Sequence, residues 1–345
     1  MNLFIVYNIS HISANVKVIK PLCFLLFLSI GHTTIQCQSM AGITGIADTS
    51  YSTYSAYTGT LKTHPDIKIV KELKAPIVKE QRAITYCTVG KRNLKLDAFY
   101  STQKNNKSTI AIIIIHGGGW RTGNRSQHYP LAQRLAALGY VCFTPEYRLS
   151  TEALFPAGIF DIKAAIRWVR KNAKQYNIDT ARIVAMGFSA GGEMAAFMGP
   201  TGNMPLFEGT NCNNDISSNV NAVVDMDGTL SFVHPDGREG DDSKRTSAAT
   251  YWFGYPKKDN MELWEAASPL SYVSGSTPPT LFINSAVSWM HAGREDYIKV
   301  LNEDNIYSEV HSFENAPHSF PLFDPWFQPT VQYIDSFLKK VFKLN

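Results

Sequence analysis

Gly187-Phe188-Ser189-Ala190-Gly191 sets a serine two residues from a glycine on either side, after an apolar run at 183–186 and before a helical stretch at 190–198. In that strand-turn-helix setting, small flanking residues let the chain turn tightly enough to lift the serine hydroxyl to the strand tip, where it can act as a nucleophile. The same pentapeptide also suits a turn whose serine only caps a helix. A second segment weighs against that reading. His116-Gly117-Gly118-Gly119-Trp120 follows another apolar run, 110–115. Glycines at a strand end let main-chain N–H groups point into a cavity and hold the oxyanion of a tetrahedral intermediate. Gly118, Gly119 and Ala190 are the expected donors.

A serine hydroxyl needs a base to take its proton. Of the nine histidines, His318 alone falls at the tip of the last predicted strand, in the loop 315–320 ahead of the final helix. His11 and His32 lie in the leader, His64 precedes the core and His311 sits inside a strand.

The elements that must position these groups read as alternating strands and helices. Residues 83–89 and 93–100 suggest an antiparallel hairpin, and 110–115 a strand covered on both faces. Helices follow at 131–138, 159–176, 190–198, 294–302 and 330–342, with strands at 140–143, 183–186, 222–226, 280–283 and 308–313. Apolar residues spaced by three and four mark the helices, and the alternation implies a mostly parallel sheet with helices on both faces. About fifty residues, 229–279, break the rhythm and read as a cap inserted after strand six, over the C-terminal edge of the sheet.

With 345 residues, 44% hydrophobic and 18% charged, the chain should build one large core. A net charge of +4 is too small to indicate a nucleic-acid partner. Residues 1–38 read as a signal peptide with an N-terminal extension: Lys17 and Lys20 precede an apolar run at 21–30 that is too short for the roughly 20 residues a membrane span needs. No later stretch reaches that length, so no transmembrane segment is expected. The chain is therefore expected to be secreted or periplasmic, with Cys37 a candidate lipid tether to an outer membrane, although Gln36 is not the small residue a lipidation box prefers. Residues 39–82 form an arm and 83–345 the catalytic domain. Cys87, Cys142 and Cys212 show no metal-type spacing, and with Cys87 and Cys142 in apolar runs they predict neither a disulfide framework nor a zinc site.

On His116 to Trp120, Gly187 to Gly191 and His318, residues 83–344 resemble an α/β-hydrolase of the hormone-sensitive-lipase and bacterial carboxylesterase branch. Within it the chain is similar to secreted carbohydrate esterases that remove acetyl, methyl or feruloyl groups from plant polysaccharides such as xylan and pectin. The resemblance implies a sheet of about eight strands, a serine ester hydrolase working through an acyl-enzyme, an esterified polysaccharide as partner, and neither metal nor organic cofactor. Relatives generally carry the acid of the triad just after strand seven, but here that strand runs into Ser285-Ala286-Val287-Ser288. Asp227, at the tip of the neighbouring strand, is the first choice, and Asp296 is the alternative acid. Glu295 or a dyad without an acid stays open, since acids at 295 and 296 also suit a helix N-terminus. Asp225 should point the same way as Asp227 but sit deeper, as a structural hydrogen-bonding group.

Trp120, Arg121, Trp289, His291 and Arg294 are candidate substrate contacts, with Trp252, Trp264 and Trp326 as further aromatic faces and Arg125 and Arg245 as further forked donors for a uronate carboxylate. The charged and polar character of 229–279 favours a hydrophilic target over a lipid. A short-acyl lipid or aryl carboxylesterase, or a serine peptidase, is the alternative, with a non-enzymatic binding module behind both.

Overall fold

Residues 110–115 alternate between two hydrophobic layers: Ala111, Ile113 and Ile115 pack into one, and Ile110, Ile112 and Ile114 into the other. A strand clothed on both faces needs helices on both. In the computed structural model, which describes residues 42–103, 109–210 and 212–344, this strand belongs to a single sheet of eight. The strands are β1 (Val78–Val89), β2 (Arg92–Ser101), β3 (Thr109–Ile115), β4 (Val141–Pro145), β5 (Ile178–Phe188), β6 (Ala222–Met226), β7 (Thr280–Asn284) and β8 (Ser308–Ser312). Their order is β1-β2-β4-β3-β5-β6-β7-β8, antiparallel at the β1 edge and parallel from β4 onward. This is the mostly parallel, helix-covered sheet expected from the sequence.

The helices used here are α1 (Thr53–Thr60), α2 (Tyr129–Ala137), α3 (Ala157–Lys171), α4 (Ala190–Met198), α5 (Ala248–Phe253), α6 (Met261–Ala266), α7 (Arg294–Glu303) and α8 (Phe327–Val341). Helix α2, through Leu131 and Leu135, and helix α8, through Ile334 and Phe337, cover one layer. Helix α3, through Ile159, Ile162 and Ile166, and helix α4, through Met194 and Phe197, cover the other. Each fully buried aliphatic side chain contributes about 1.5–3 kcal/mol.

Three expectations are corrected. The helix read at 159–176 stops at Lys171, because the Asn172 side chain donates to the Trp168 carbonyl at 2.8 Å and diverts the backbone. A separate turn, Ala173–Tyr176, then ends at Asn177 in the left-handed region. The arm is more ordered than its weak periodicity suggested: α1 carries a Ser52/Ser55 capping box, and Lys68–Ile69 pairs with Phe323–Asp324. Cys87 on β1 is joined to Cys212 by a disulfide that closes 125 residues of chain, with Cα atoms 5.6 Å apart, whereas Cys142 is a buried free thiol. The bond was hidden because its partners meet only through tertiary packing.

The apolar run 21–30 and Cys37 lie outside the described residues. Among the described residues no helix is long and apolar enough to cross a membrane. Removing the cross-link with Cys212→Ala should lower the unfolding free energy by about 2–4 kcal/mol in denaturant titrations. Dithiothreitol should reproduce the loss in the parent and add nothing in the variant; a variant as stable as the oxidised parent refutes the bond's contribution.

Candidate active site

The turn at the end of β5 is built by close backbone approach. A Cβ on Gly187 would stand 1.9 Å from the Gly191 carbonyl oxygen, so no larger residue fits. Ser189 is held at φ 57°, ψ −124°, a conformation that costs a non-glycine residue free energy and persists only where its surroundings enforce it. They do so here through the Ser189 N–H, which donates to the Met226 carbonyl of β6 at 2.8 Å.

His318 comes from the loop after β8. Its Nε2 lies 2.8 Å from the Ser189 Oγ and its Nδ1 2.9 Å from Asp227 Oδ2. An ionised carboxylate only accepts, so Nδ1 carries the proton facing Asp227 and Nε2 is left as the acceptor for the serine hydroxyl. Phe188 packs against the imidazole with ring centroids 4.9 Å apart.

Asp227 is fully buried at the tip of β6, where its φ of 53° turns it toward β7. Its other oxygen accepts from the Ser285 N–H at 2.8 Å and from Asn284 Nδ2 at 3.4 Å. The segment after β7 thus supplies donors to an acid on β6. The other candidates pair elsewhere: exposed Asp296 approaches His234 at 3.4 Å and Glu295 binds Arg294 Nε at 2.9 Å. Asp225 sits deeper, accepting from the Gly228 N–H at 2.7 Å, and burial pushes its carboxyl well above the usual range.

Among the described residues, the N–H groups of Gly118 and Gly119 have no hydrogen-bond partner, and Ala190 opens α4, where a first-turn N–H has no intrahelical acceptor. Gly118 and Gly119 line one cleft with Ser189, and Ala190 follows it directly in the chain. The adjoining His116 is stacked on Tyr147, and burial lowers its imidazole to about 4, so it stays neutral.

The cleft over Ser189 has a volume of about 790 Å³ and includes Gly118, Gly119, Arg121, Trp289 and His318 in its walls. Of the predicted substrate contacts, Arg121 and Trp289 are therefore at the cleft. Trp120 is not. It is buried, stacked on Trp252 at 4.8 Å, and donates its indole N–H to Glu193 at 2.9 Å. Trp252 and Trp264 are likewise interior.

His291 and Arg294 do not line the cleft either. Arg294 donates to Asn284 Oδ1 at 2.5 Å and so steadies a donor to Asp227, while burial lowers the His291 imidazole. Arg125 is committed to Asp97 and Glu146 at 2.8 and 2.9 Å. Sequence reasoning missed Tyr51 from the arm, and Glu239 and Tyr251 from the 229–279 segment, all in the cleft wall. Of these, Glu239 and Tyr251 fall in the segment 229–279 whose charged and polar character was noted, and nothing in the sequence pointed to Tyr51. Among the described residues no group of three or more His, Cys, Asp or Glu side chains could hold a metal ion.

Residues 96–287 match the BD-FAE family model, more than half of the chain. The chain belongs to the BD-FAE family. It is 28% identical over 262 residues to esterase LipC of Mycobacterium tuberculosis, covering 71% of this chain and 62% of that protein. It is 32% identical over 169 residues to esterase LipQ of the same organism, covering 49% and 39%. The matched stretches thus span under two thirds of these relatives' own length. Among solved structures, a truncated carbohydrate esterase from gut microbiota aligns with TM-score 0.66 and 23% identity over 78% of this chain and 99% of that one, a likeness of fold. The butyrate-bound esterase Est2 of Thermogutta terrifontis aligns with TM-score 0.62 and 25% identity over 77% and 95%.

In this BD-FAE family member the serine helix and the glycine loop are tied together beneath the cleft by Glu193, one turn after Ser189, through its bond to Trp120. The Glu193 carboxyl is fully buried and its second oxygen has no partner among the described residues; burial pushes its pKa well above the ordinary value. Above about pH 4.3 the unfolded chain releases this proton while the folded one keeps it, so stability falls as pH rises. Glu193→Gln keeps an acceptor for Trp120 and removes the titration. Its stability relative to the parent should grow as pH rises above about 4.3, by up to about 1.4 kcal/mol per pH unit while only the unfolded state titrates. A pH-independent difference in denaturant midpoints contradicts a buried protonated Glu193.

Proposed function

We propose that this protein is a serine ester hydrolase. The carrying observation is the continuous chain from Ser189 Oγ through His318 to buried Asp227, at 2.8 and 2.9 Å, beside unpaired glycine amides. In the reaction His318 takes the Ser189 proton as the oxygen attacks the ester carbonyl, and the Gly118, Gly119 and Ala190 amides hold the oxyanion. The imidazolium, stabilised by Asp227, returns the proton to the departing alcohol and leaves an acyl-enzyme. Water, activated by the same imidazole, then releases the acid.

The substrate proposed is plant cell-wall polysaccharide, xylan or pectin, bearing acetyl, methyl or feruloyl esters. It is supported by an open cleft rich in polar and charged groups and by the likeness to a carbohydrate esterase fold. The butyrate held by Est2 favours a second reading, a short-acyl carboxylesterase. Secretion or periplasmic export, with residues 1–38 as leader and Cys37 as a tether, is proposed with them. The Cys87–Cys212 bond supports it, because such bonds persist chiefly in oxidising compartments.

Ser189→Ala should abolish hydrolysis of p-nitrophenyl acetate with the fold intact. Asp227→Asn should lower kcat on the order of 10³–10⁴-fold, while Asp296→Asn should leave it within about twofold, as for a surface change. Undiminished turnover by Ser189→Ala removes the serine from the mechanism. Release of acetate, methanol or ferulate from xylan and pectin, set against butyrate from tributyrin, decides between the two substrate readings.

A further inference from the structure

Glu239 stands in the wall of the cleft that holds Ser189 and His318. Its carboxyl makes no hydrogen bond or ion pair within the described residues, which sets it apart from Asp241 in the same wall, whose Oδ1 accepts from the Ser243 N–H at 3.1 Å. Glu239 is half-buried rather than free in solvent. The basic groups that influence it are His318 and Lys257, and it in turn influences the Glu193 carboxyl. Lys257 forms no ion pair with it; its ammonium group is placed over the Trp264 ring, 5.3 Å from the centroid.

The loop bearing Glu239 is held in place. Gly240 has φ 82°, and a Cβ there would stand 2.6 Å from the Trp264 ring, itself fully buried. An acceptor on so fixed a backbone, half withdrawn from water in the wall of the cleft that holds Ser189, is suited to a ligand that brings its own donors. The cleft also contains Arg121, Arg238 and Arg245, which disfavour a cation. Arg121 is already engaged, with its guanidinium 4.0 Å over the Tyr251 ring. A neutral, hydroxyl-rich ligand fits both conditions.

We propose that Glu239 reads the carbohydrate part of the substrate, its carboxyl accepting hydrogen bonds from free sugar hydroxyls near the ester. The proposal rests on the ester-hydrolase reading and deepens it by naming a residue that separates sugar esters from alkyl and aryl esters. A site built to bond a substrate hydroxyl discriminates strongly against analogues that lack it, because its polar group is then left unpaired. Burial, the largest influence on the Glu239 carboxyl, raises its pKa and is consistent with neutral partners.

The test compares kcat/KM on a mono-O-acetylated xylo-oligosaccharide with kcat/KM on p-nitrophenyl acetate. In Glu239→Ala the ratio of the two should fall at least tenfold, carried by KM on the sugar ester, and in isosteric Glu239→Gln it should fall less, since the amide keeps one acceptor. Calorimetry supplies a readout that needs no turnover: xylotetraose should bind Ser189→Ala at least tenfold more tightly than Ser189→Ala/Glu239→Ala. An unchanged ratio in both variants, or equal xylotetraose affinities, overturns the proposal. If p-nitrophenyl acetate is hydrolysed but xylotetraose does not bind, the sugar role fails and the hydrolase reading stands. If no ester is cleaved yet xylotetraose binding depends on Glu239, the hydrolase reading fails and the sugar role stands.

Discussion

The structure depends on the register of three adjacent parallel strands. Ile115 of β3 faces Gly187 of β5, and Phe188 of β5 faces Met226 of β6, so the segments that leave these strands at His116, Ser189 and Asp227 emerge side by side on one rim. A one-residue slip in any pair would turn its buried side chains to the opposite layer. The hydrophobic layers on both faces therefore fix the register, and the register fixes the chemistry. The hydrogen bond from the Ser189 amide to Met226 lies across that same strand pair.

Placing an acid on β6 has an electrostatic cost that the neighbouring segment offsets. A fully buried carboxylate needs donors for its lone pairs. Asp227 finds them in the Ser285 amide, the Asn284 side chain and the His318 ring. Residues 284–288, at and just after the end of β7, carry no acid; Asn284 and Ser285 contribute two of these N–H groups instead, and Arg294 steadies Asn284 from α7. An acid at 296 would have to turn away from solvent and from His234 to reach the same imidazole.

What was legible in the sequence was local. The two glycine motifs and their flanking apolar runs are contiguous, so strand, turn and helix could be read together, and the strand 222–226 is found at those bounds. His318 followed from its position after the last strand. The acid stayed ambiguous because the deciding fact is which strand tips are neighbours, a property of the sheet rather than of any segment. The tryptophans of the 229–279 segment were misplaced for a related reason. No periodicity in short helices such as α5 and α6 tells whether an indole faces the cleft or the interior, and Phe232 and Phe253 draw Trp252 and Trp264 inward. The Cys87–Cys212 bond, spanning 125 residues, left no local trace at all.

The arm shows how a segment without readable periodicity gains a defined place. Ala56 and Ile67 pack with Leu322 and Phe323, just after the loop that carries His318. Thr60 and Ser319 share a hydroxyl hydrogen bond at 2.9 Å, and His64 meets the Asn315 carbonyl at 3.2 Å. These contacts bracket His318 on both sides in sequence. A loop of this kind is otherwise a region of low local stability, since loops have few buried contacts of their own. Here α1 and the short pairing at Lys68–Ile69 restrain it from outside the sheet, while Phe188 restrains the ring from within. Both the glycine loop and the histidine loop are thus held by distant segments, one by Glu193 through Trp120, the other by the arm. The Ser189 hydroxyl thus meets an imidazole that is held from both sides.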